Sequence, residues 1–276
     1  MIEEPAGRID YEETGNGPTV VFVPGSCSTG AAWRPIMTAM GGGFRYVTTS
    51  LLGYGGTAER RTTADPSISH EIDIVEGVIR RAAAPVHLVG HSFGGLVSLA
   101  VALRARVPLA SLTIVEAPAV ELLRALGETE HTRAFRDMNE VYFTAFRNGE
   151  EDAIATMIDF YGGTGTFASW PPRVRAYAVE TTAVNILDWA SAYGFPLPPS
   201  AIAAVDLPAL VLRGGTSQPA VQRANELLSI HLKDASLVTI AGGAHFMIAT
   251  HAGDVARAIA EHVRRVEKLG TERREG

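Results

Sequence analysis

The chain has 276 residues, 46% hydrophobic and 20% charged, which is globular composition with enough length to bury a full core. With 24 Lys+Arg against 30 Asp+Glu the formal net charge is −6, which argues against nucleic acid as a partner, because phosphate binding needs a basic stripe. No apolar run approaches the ~20 residues that cross a bilayer, so no membrane partner is expected.

The N-terminus, MIEEPAGRID, is acidic and lacks the apolar core of a signal peptide. The single cysteine, Cys27, cannot close an internal disulfide, and a cytoplasmic location is expected. Thr19–Val23 is a β-branched run that stops at Pro24-Gly25. Residues 46–49 form a second run, followed by the turn-rich Gly53-Tyr54-Gly55-Gly56. Residues 68–83 read as a helix with Ile72, Val75, Val78 and Ile79 on one face. Residues 86–89 read as a strand, 93–104 as a helix of small residues, and 112–115 as the next strand.

Residues 119–200 break the rhythm and read as several helices with no strand between them. Of the 20 aromatic residues in the chain, twelve lie between Phe135 and Phe195. Most of those rings are expected to form the core of this segment, and a handful to line a pocket. The alternation resumes with a strand at 209–212, a helix over 221–230, a strand at 237–240 and an amphipathic helix over 253–266. The charged segment 268–276 is expected to fray. Strands apolar on both faces that alternate with helices predict a parallel sheet covered on both sides. The domain division that follows is an α/β core of residues 1–118 and 201–276, carrying a helical cap over residues 119–200. No internal repeat interrupts this pattern.

Gly90-His91-Ser92-Phe93-Gly94 matches G-x-S-x-G between an apolar strand and a small-residue helix, the context that gives the pattern meaning. The glycines admit a turn that a Cβ would block, and the turn lifts the Ser92 hydroxyl above the C-terminal edge of the sheet. The plain alternative is a tight turn with an incidental serine. A serine hydroxyl needs a general base within hydrogen-bond reach. Among eight histidines His245 is the best candidate, because it follows the last strand and the flexible Ala241-Gly242-Gly243-Ala244 and so emerges at the same sheet edge. The side chain of His91 is expected to point away from Ser92. No HExxH or clustered Cys/His pattern calls for a metal.

With Val23-Pro24-Gly25-Ser26, Gly90-His91-Ser92-Phe93-Gly94-Gly95, Gly242-Gly243-Ala244-His245-Phe246, and Trp33 at the usual distance after the first motif, the chain resembles the α/β-hydrolase superfamily. The likeness covers roughly residues 8–266, with the cap as its least specific part. It implies the α/β-hydrolase fold, a mostly parallel central sheet flanked by helices with a helical cap insertion, and no cofactor. Two backbone N–H donors must hold the tetrahedral intermediate. The residue after the nucleophile, Phe93, supplies one; by likeness the other is Ser26, with Cys27 beside it. Relatives usually carry His-Gly at the first motif where this chain has Pro24-Gly25. Cys27, Trp170, Trp189 and Phe246 are the expected substrate contacts. Cys27 as a rival nucleophile lacks a base.

Most relatives place an aspartate after the strand at 209–212, where this chain has Thr216, and no carboxylate occurs from Leu207 through Asn225. A neutral hydroxyl cannot offset the imidazolium that forms in the transition state. Glu116 ends the strand at 112–115, which the resemblance places one strand from the serine strand, and strands lie ~4.8 Å apart, so its carboxylate can reach a histidine beside Ser92. Glu116-Ala117-Pro118 is similar to the Glu-x-Pro segment of fungal lactonases that open resorcylic macrolactones such as zearalenone. Two alternatives stay open: a glutamate that only caps its loop, and a serine–histidine dyad without an acid.

The function expected is a serine hydrolase, with Ser92, His245 and Glu116 as triad, acting on a small-molecule carboxylic ester or lactone that is largely apolar. Other chemistry on the same scaffold (C–C cleavage, cyanohydrin cleavage, cofactor-free oxygenation, perhydrolysis) and a non-catalytic ligand binder are the alternatives. Cap helices often pair across two-fold interfaces in this superfamily, which leaves a homodimer open.

Overall fold

The computed structural model describes residues 1–4, 7–83 and 85–275. A small antiparallel ribbon, β1 (Ile2–Glu4) and β2 (Gly7–Ile9), opens the chain. Then come β3 (Glu12–Gly15), β4 (Thr19–Val23), α1 (Arg34–Met40), β5 (Arg45–Thr48), α2 (Ser69–Ala82), β6 (Val86–His91), α3 (Phe93–Arg104) and β7 (Leu109–Val115). Between β7 and the next strand lie only helices: α4 (Val120–Ala125), α5 (Thr129–Arg147), α6 (Ala155–Gly162), α7 (Thr166–Ser169), α8 (Pro172–Glu180), α9 (Thr182–Tyr193) and α10 (Pro199–Ala203). The alternation resumes with β8 (Pro208–Gly214), α11 (Pro219–His231), β9 (Asp234–Ile240), α12 (Met247–Thr250) and α13 (Ala252–Glu275).

Seven strands form one sheet in the order β3-β5-β4-β6-β7-β8-β9. All neighbours are parallel except β3, which runs antiparallel to β5 at one edge. The central strands β4 and β6 are buried along their whole length, as a sheet covered on both faces requires. Their side chains alternate between two cores. Val21, Val23 and Leu88 join α2 and α3 on one face; Val20, Phe22 and Val89 join Trp33, α1 and α13 on the other.

The structure adds three strands to the sequence reading and changes one expectation. The strands β1, β2 and β3 carry almost no apolar pattern, and β3 is exposed throughout, so hydrophobic periodicity could not announce them. The last helix does not fray near residue 266. It runs to Glu275, because its charged tail is rich in good helix formers, with Lys268 and Glu272 one turn apart at 3.9 Å; Gly276 lies outside the described residues. Among the described residues no helix is long and apolar enough to cross a membrane.

The strand order fixes where a site can form. From β4 the chain steps outward to β5, then crosses back to β6 on the other side of β4. The loops after β4 and β6 therefore diverge and leave a crevice at the C-terminal edge of the sheet, the place where open α/β sheets bind ligands.

Candidate active site

Ser92 occupies the sharp turn between β6 and α3. Its φ of 53° and ψ of −127° lie in a region that side chains rarely adopt. Of five non-glycine residues with positive φ among the described residues, Ala83 and Ala105 close helices. The other three are Cys27, Ser92 and Glu116, all candidate site residues. Strain of this kind costs of order 1–3 kcal/mol each and persists where the surroundings hold it in place. Two glycines make the turn possible. A Cβ on Gly25 would stand 2.9 Å from Ser92 Cβ, and one on Gly94 would overlap the carbonyl oxygen of Pro24. The loop after β4 thus lies directly against the serine turn.

Glu116 follows β7. The ladder carries on past the strand ends, since Ser92 N–H donates to Val115 O (2.8 Å) and Glu116 N–H to Leu212 O (3.0 Å). His245 lies in the loop between β9 and α12. Its Nε2 is 2.9 Å from Ser92 Oγ, and its Nδ1 is 2.9 Å from Glu116 Oε2. We assign the proton to Nδ1, so that Nδ1–H donates to the carboxylate and Ser92 Oγ–H donates to Nε2. Glu116 is fully buried and its second oxygen is also satisfied: Oε1 accepts from Gly214 N–H (2.6 Å) and Ser217 Oγ–H (2.5 Å). The acid stands at the end of β7, while the donors that hold it come from the end of β8, where relatives carry their aspartate.

The loop around the acid is braced from α11. Asn225 Oδ1 accepts from Ala117 N–H (3.0 Å) and its Nδ2 donates to Ala117 O (3.1 Å). Thr216 takes a bracing part, because its hydroxyl donates to Gly243 O (2.9 Å) in the loop that carries His245. His91 braces the same loop through its Nε2–H, which donates to His245 O (2.9 Å). Burial, with His245 nearby, pushes the His91 imidazole down to about 3, so this ring stays neutral.

Phe93 opens α3, so its N–H is among the first-turn donors that no helical carbonyl can satisfy. Ser26 is fixed through its side chain. Its Oγ–H donates to Asp188 Oδ2 (2.5 Å), which also accepts from Tyr54 Oη–H (2.6 Å). Burial, with the charge of Asp188 adding, pushes the Cys27 thiol up to about 12, so Cys27 is no thiolate nucleophile at neutral pH.

Behind Asp188 lies a buried charge cluster. Arg61 donates to Asp188 Oδ1 (2.8 Å) and pairs with Glu59 (2.7 Å), and its Nη1 is 3.2 Å from Glu71 Oε1. Burial pushes Glu71 up to about 8, with Arg61 opposing and Asp188 adding to the rise. Glu71 therefore holds its proton more tightly in the folded chain than an ordinary carboxyl does. A carboxyl that binds its proton more tightly folded than unfolded contributes stability that is complete below the ordinary carboxylate range. That contribution disappears as pH rises through about 8. Thermal unfolding is thus expected at lower temperature above that pH than below it, and Glu71→Gln is expected to flatten the dependence. A Glu71→Gln curve as steep as the parent's would assign the effect to another group.

A cavity of about 50 Å³ lies beside Ser92 and His245. Ser26, Cys27, Ser92, Phe93, Trp170, Trp189, His245 and Phe246 all line it, with Glu116 behind His245. Phe135, Tyr142 and Phe160 pack instead among the helices between β7 and β8. Asn185 and Asp188 also line this cavity, and the Tyr161 ring lies on His245; none of the three is among the residues expected from sequence. A usable signal existed for two of them. Asn185, Asp188, Trp189 and Ala192 recur at helical spacing on one face of α9, an apolar stripe interrupted by two polar groups.

A family model described as the alpha/beta hydrolase family matches residues 20–258. The chain belongs to the alpha/beta hydrolase family. Among solved structures, an alpha/beta hydrolase from Sphaerobacter thermophilus shares this family fold with a TM-score of 0.72 and 21% identity, over 95% of this chain and 98% of that one. A thermophilic esterase from Thermogutta terrifontis matches with a TM-score of 0.75 and 20% identity, over 95% and 96% of the two chains. A curated protein of Agrobacterium fabrum, named "Putative carbamate hydrolase RutD", is 33% identical over 104 residues. That match spans 38% of this alpha/beta hydrolase chain and 38% of the relative.

Proposed function

We propose that this member of the alpha/beta hydrolase family is a serine hydrolase that cleaves a carboxylic ester or lactone of a largely apolar small molecule. The observation that supports the reading most is the unbroken hydrogen-bonded chain from Ser92 through His245 to the buried Glu116. Ser92 Oγ attacks the acyl carbon while His245 Nε2 takes its proton, and the carboxylate of Glu116 offsets the imidazolium. The carbonyl oxygen becomes an oxyanion held by the N–H groups of Ser26 and Phe93. His245 returns the proton to the leaving alkoxide. Water, deprotonated by His245, then attacks the acyl-enzyme, and Ser92 leaves with the proton restored.

Residues 119–200 act as the cap. The cap contributes Met157, Ile158, Trp170, Trp189 and Ala192 to the cavity wall, which favours apolar contact with few polar anchors. A cavity of about 50 Å³ holds only a few waters. A ring-bearing substrate therefore needs cap side chains to move as it binds. The partial likeness to the protein named "Putative carbamate hydrolase RutD" nominates carbamates as a second class, because their carbonyl would meet the same nucleophile and anion loop. A panel of aryl esters of graded acyl size, macrocyclic lactones and aryl carbamates tests the reading, alongside labelling with a serine-directed organophosphonate. Hydrolysis of esters or lactones with label on Ser92 is expected. A labelled Ser92 with no hydrolysis of any member would shift the assignment to non-hydrolytic chemistry or ligand binding.

A further inference from the structure

The Ser92–His245–Glu116 chain does not require Tyr161, yet the Tyr161 ring lies flat on the imidazole of His245. The two ring centroids are 4.0 Å apart and the planes differ by 27°. Tyr161 belongs to α6 and is 3% exposed. It is held from behind by Trp189 (6.5 Å, 24°) and Phe135 (6.4 Å), with Phe160 edge-on at 5.3 Å. On its remaining sides the imidazole meets His91 at 4.8 Å and the edge of Phe246 at 5.3 Å. The general base is thus enclosed by π systems, and the closest of them is supplied by the helices between β7 and β8.

The imidazole alternates between two states in the proposed reaction, neutral while it waits and cationic once it has taken the Ser92 proton. The face of a phenol ring carries negative charge density and attracts a cation held within about 6 Å. A neutral imidazole stacks on the same ring without that charge–quadrupole attraction. The contact is therefore stronger in the state that resembles the transition state, which is the condition for accelerating a reaction. Burial of the site keeps the attraction from being screened. We propose that Tyr161 is a positioning residue for the general base, its ring face stabilising the His245 imidazolium as it forms, so that the helical insertion helps to set the strength of the base. The inference rests on His245 being that base.

The charged and titratable groups around the imidazole are few. Glu116 faces Nδ1 and Ser92 faces Nε2, while His91 stays neutral. Burial raises the Tyr161 phenol well above its ordinary range, so its ring is not an anion. Asp188, on α9, lines the same cavity and is tied to Arg61.

Three replacements at this position separate a π face from simple packing. Tyr161→Phe keeps the ring face, Tyr161→Leu removes it, and Tyr161→pentafluorophenylalanine keeps the shape while reversing the charge on the face. Relative to Tyr161→Phe, the leucine and pentafluoro variants are expected to lower kcat/KM by roughly three- to thirtyfold. They are also expected to move the acid limb of the kcat/KM–pH profile to lower pH, because the imidazolium loses support. Tyr161→Phe is expected to hold the limb at its parental position. The pentafluoro variant preserves the packing, so the test survives if Tyr161→Leu fails to fold. NMR titration of the His245 imidazole in the same proteins reads the same displacement without turnover, and so stays informative if the hydrolase reading fails. An imidazole titration and an acid limb that do not move in the pentafluoro variant would overturn the proposal. So would a Tyr161→Phe variant as impaired as Tyr161→Leu, since the hydroxyl and not the ring face would then be responsible.

Discussion

Glu116→Gln is expected to lower kcat by about three to four orders of magnitude, with the fold intact. The size of the effect follows from how the carboxylate is held. Its Oε1 accepts two hydrogen bonds, from Gly214 N–H and Ser217 Oγ–H. An amide placed there must turn its oxygen toward those donors, which leaves its NH2 group facing His245 Nδ1. Nδ1 then has to accept, the ring proton moves to Nε2, and the nitrogen beside Ser92 can no longer take a proton. The variant also lacks the charge that offsets the imidazolium. Thr216→Ala is the matching control, because Thr216 occupies the position where relatives carry their aspartate. It removes a hydroxyl shared between Gly243 O (2.9 Å) and Gly242 O (3.3 Å) and is expected to cost about 1 kcal/mol of stability, with kcat reduced only a few fold. Steady-state kinetics of the two variants on one ester decide between the positions. A crippled Thr216→Ala beside a near-normal Glu116→Gln would return the acid's role to the β8 loop and remove Glu116 from the mechanism.

Ser92→Ala is expected to have the larger effect, a loss of kcat on the order of 10⁶-fold together with complete loss of organophosphonate labelling. Alanine removes the oxygen proposed to attack the substrate and leaves the loop after β4, the cavity wall and the His245–Glu116 pair in place. Substrate binding should therefore survive, with residual turnover from the anion hole and positioning alone. Combined with Glu116→Gln, the loss should be little greater than for Ser92→Ala by itself, because residues that act as one unit are strongly non-additive. Losses that multiply in the double variant would mean that the two residues act in separate steps, and a Ser92→Ala variant that still turns over at the parental rate would remove Ser92 as nucleophile.

The parts of the molecule legible in the sequence are those where local pattern and global fold agree. Apolar runs such as Thr19–Val23 mark strands buried on both faces, and the glycines flanking Ser92 mark a turn that a side chain would block. Glu116 could be singled out only through the resemblance: the run without any carboxylate after β8 departs from the relatives' pattern, and the superfamily's strand order puts the end of β7 beside the serine strand. What could not be read depends on contacts between distant segments. Arg61, Glu71 and Asp188 look like ordinary surface charges in sequence, and only burial together makes them a cluster. The support of Glu116 by Ser217 and of Ala117 by Asn225 spans about a hundred residues of chain, beyond the reach of any local motif. Tyr161 was one aromatic among twelve in its region, and nothing local distinguishes the ring that covers His245 from those that fill the helical core. The exposed strand β3 and the helical end of α13 were missed because neither carries the apolar periodicity that announces an element.

We propose that Ser92, His245 and Glu116 work as one relay beside the Ser26–Phe93 anion hole. A crystal structure of the protein after reaction with an aryl organophosphonate tests it most directly. The expected result is phosphorus bonded to Ser92 Oγ, a phosphonyl oxygen within hydrogen-bond distance of the N–H groups of Ser26 and Phe93, and His245 still bridging the adduct and Glu116. An adduct on any other residue, or a His245 ring that faces Thr216 or solvent in place of Glu116 while Ser92 carries the phosphonate, would rule out the relay.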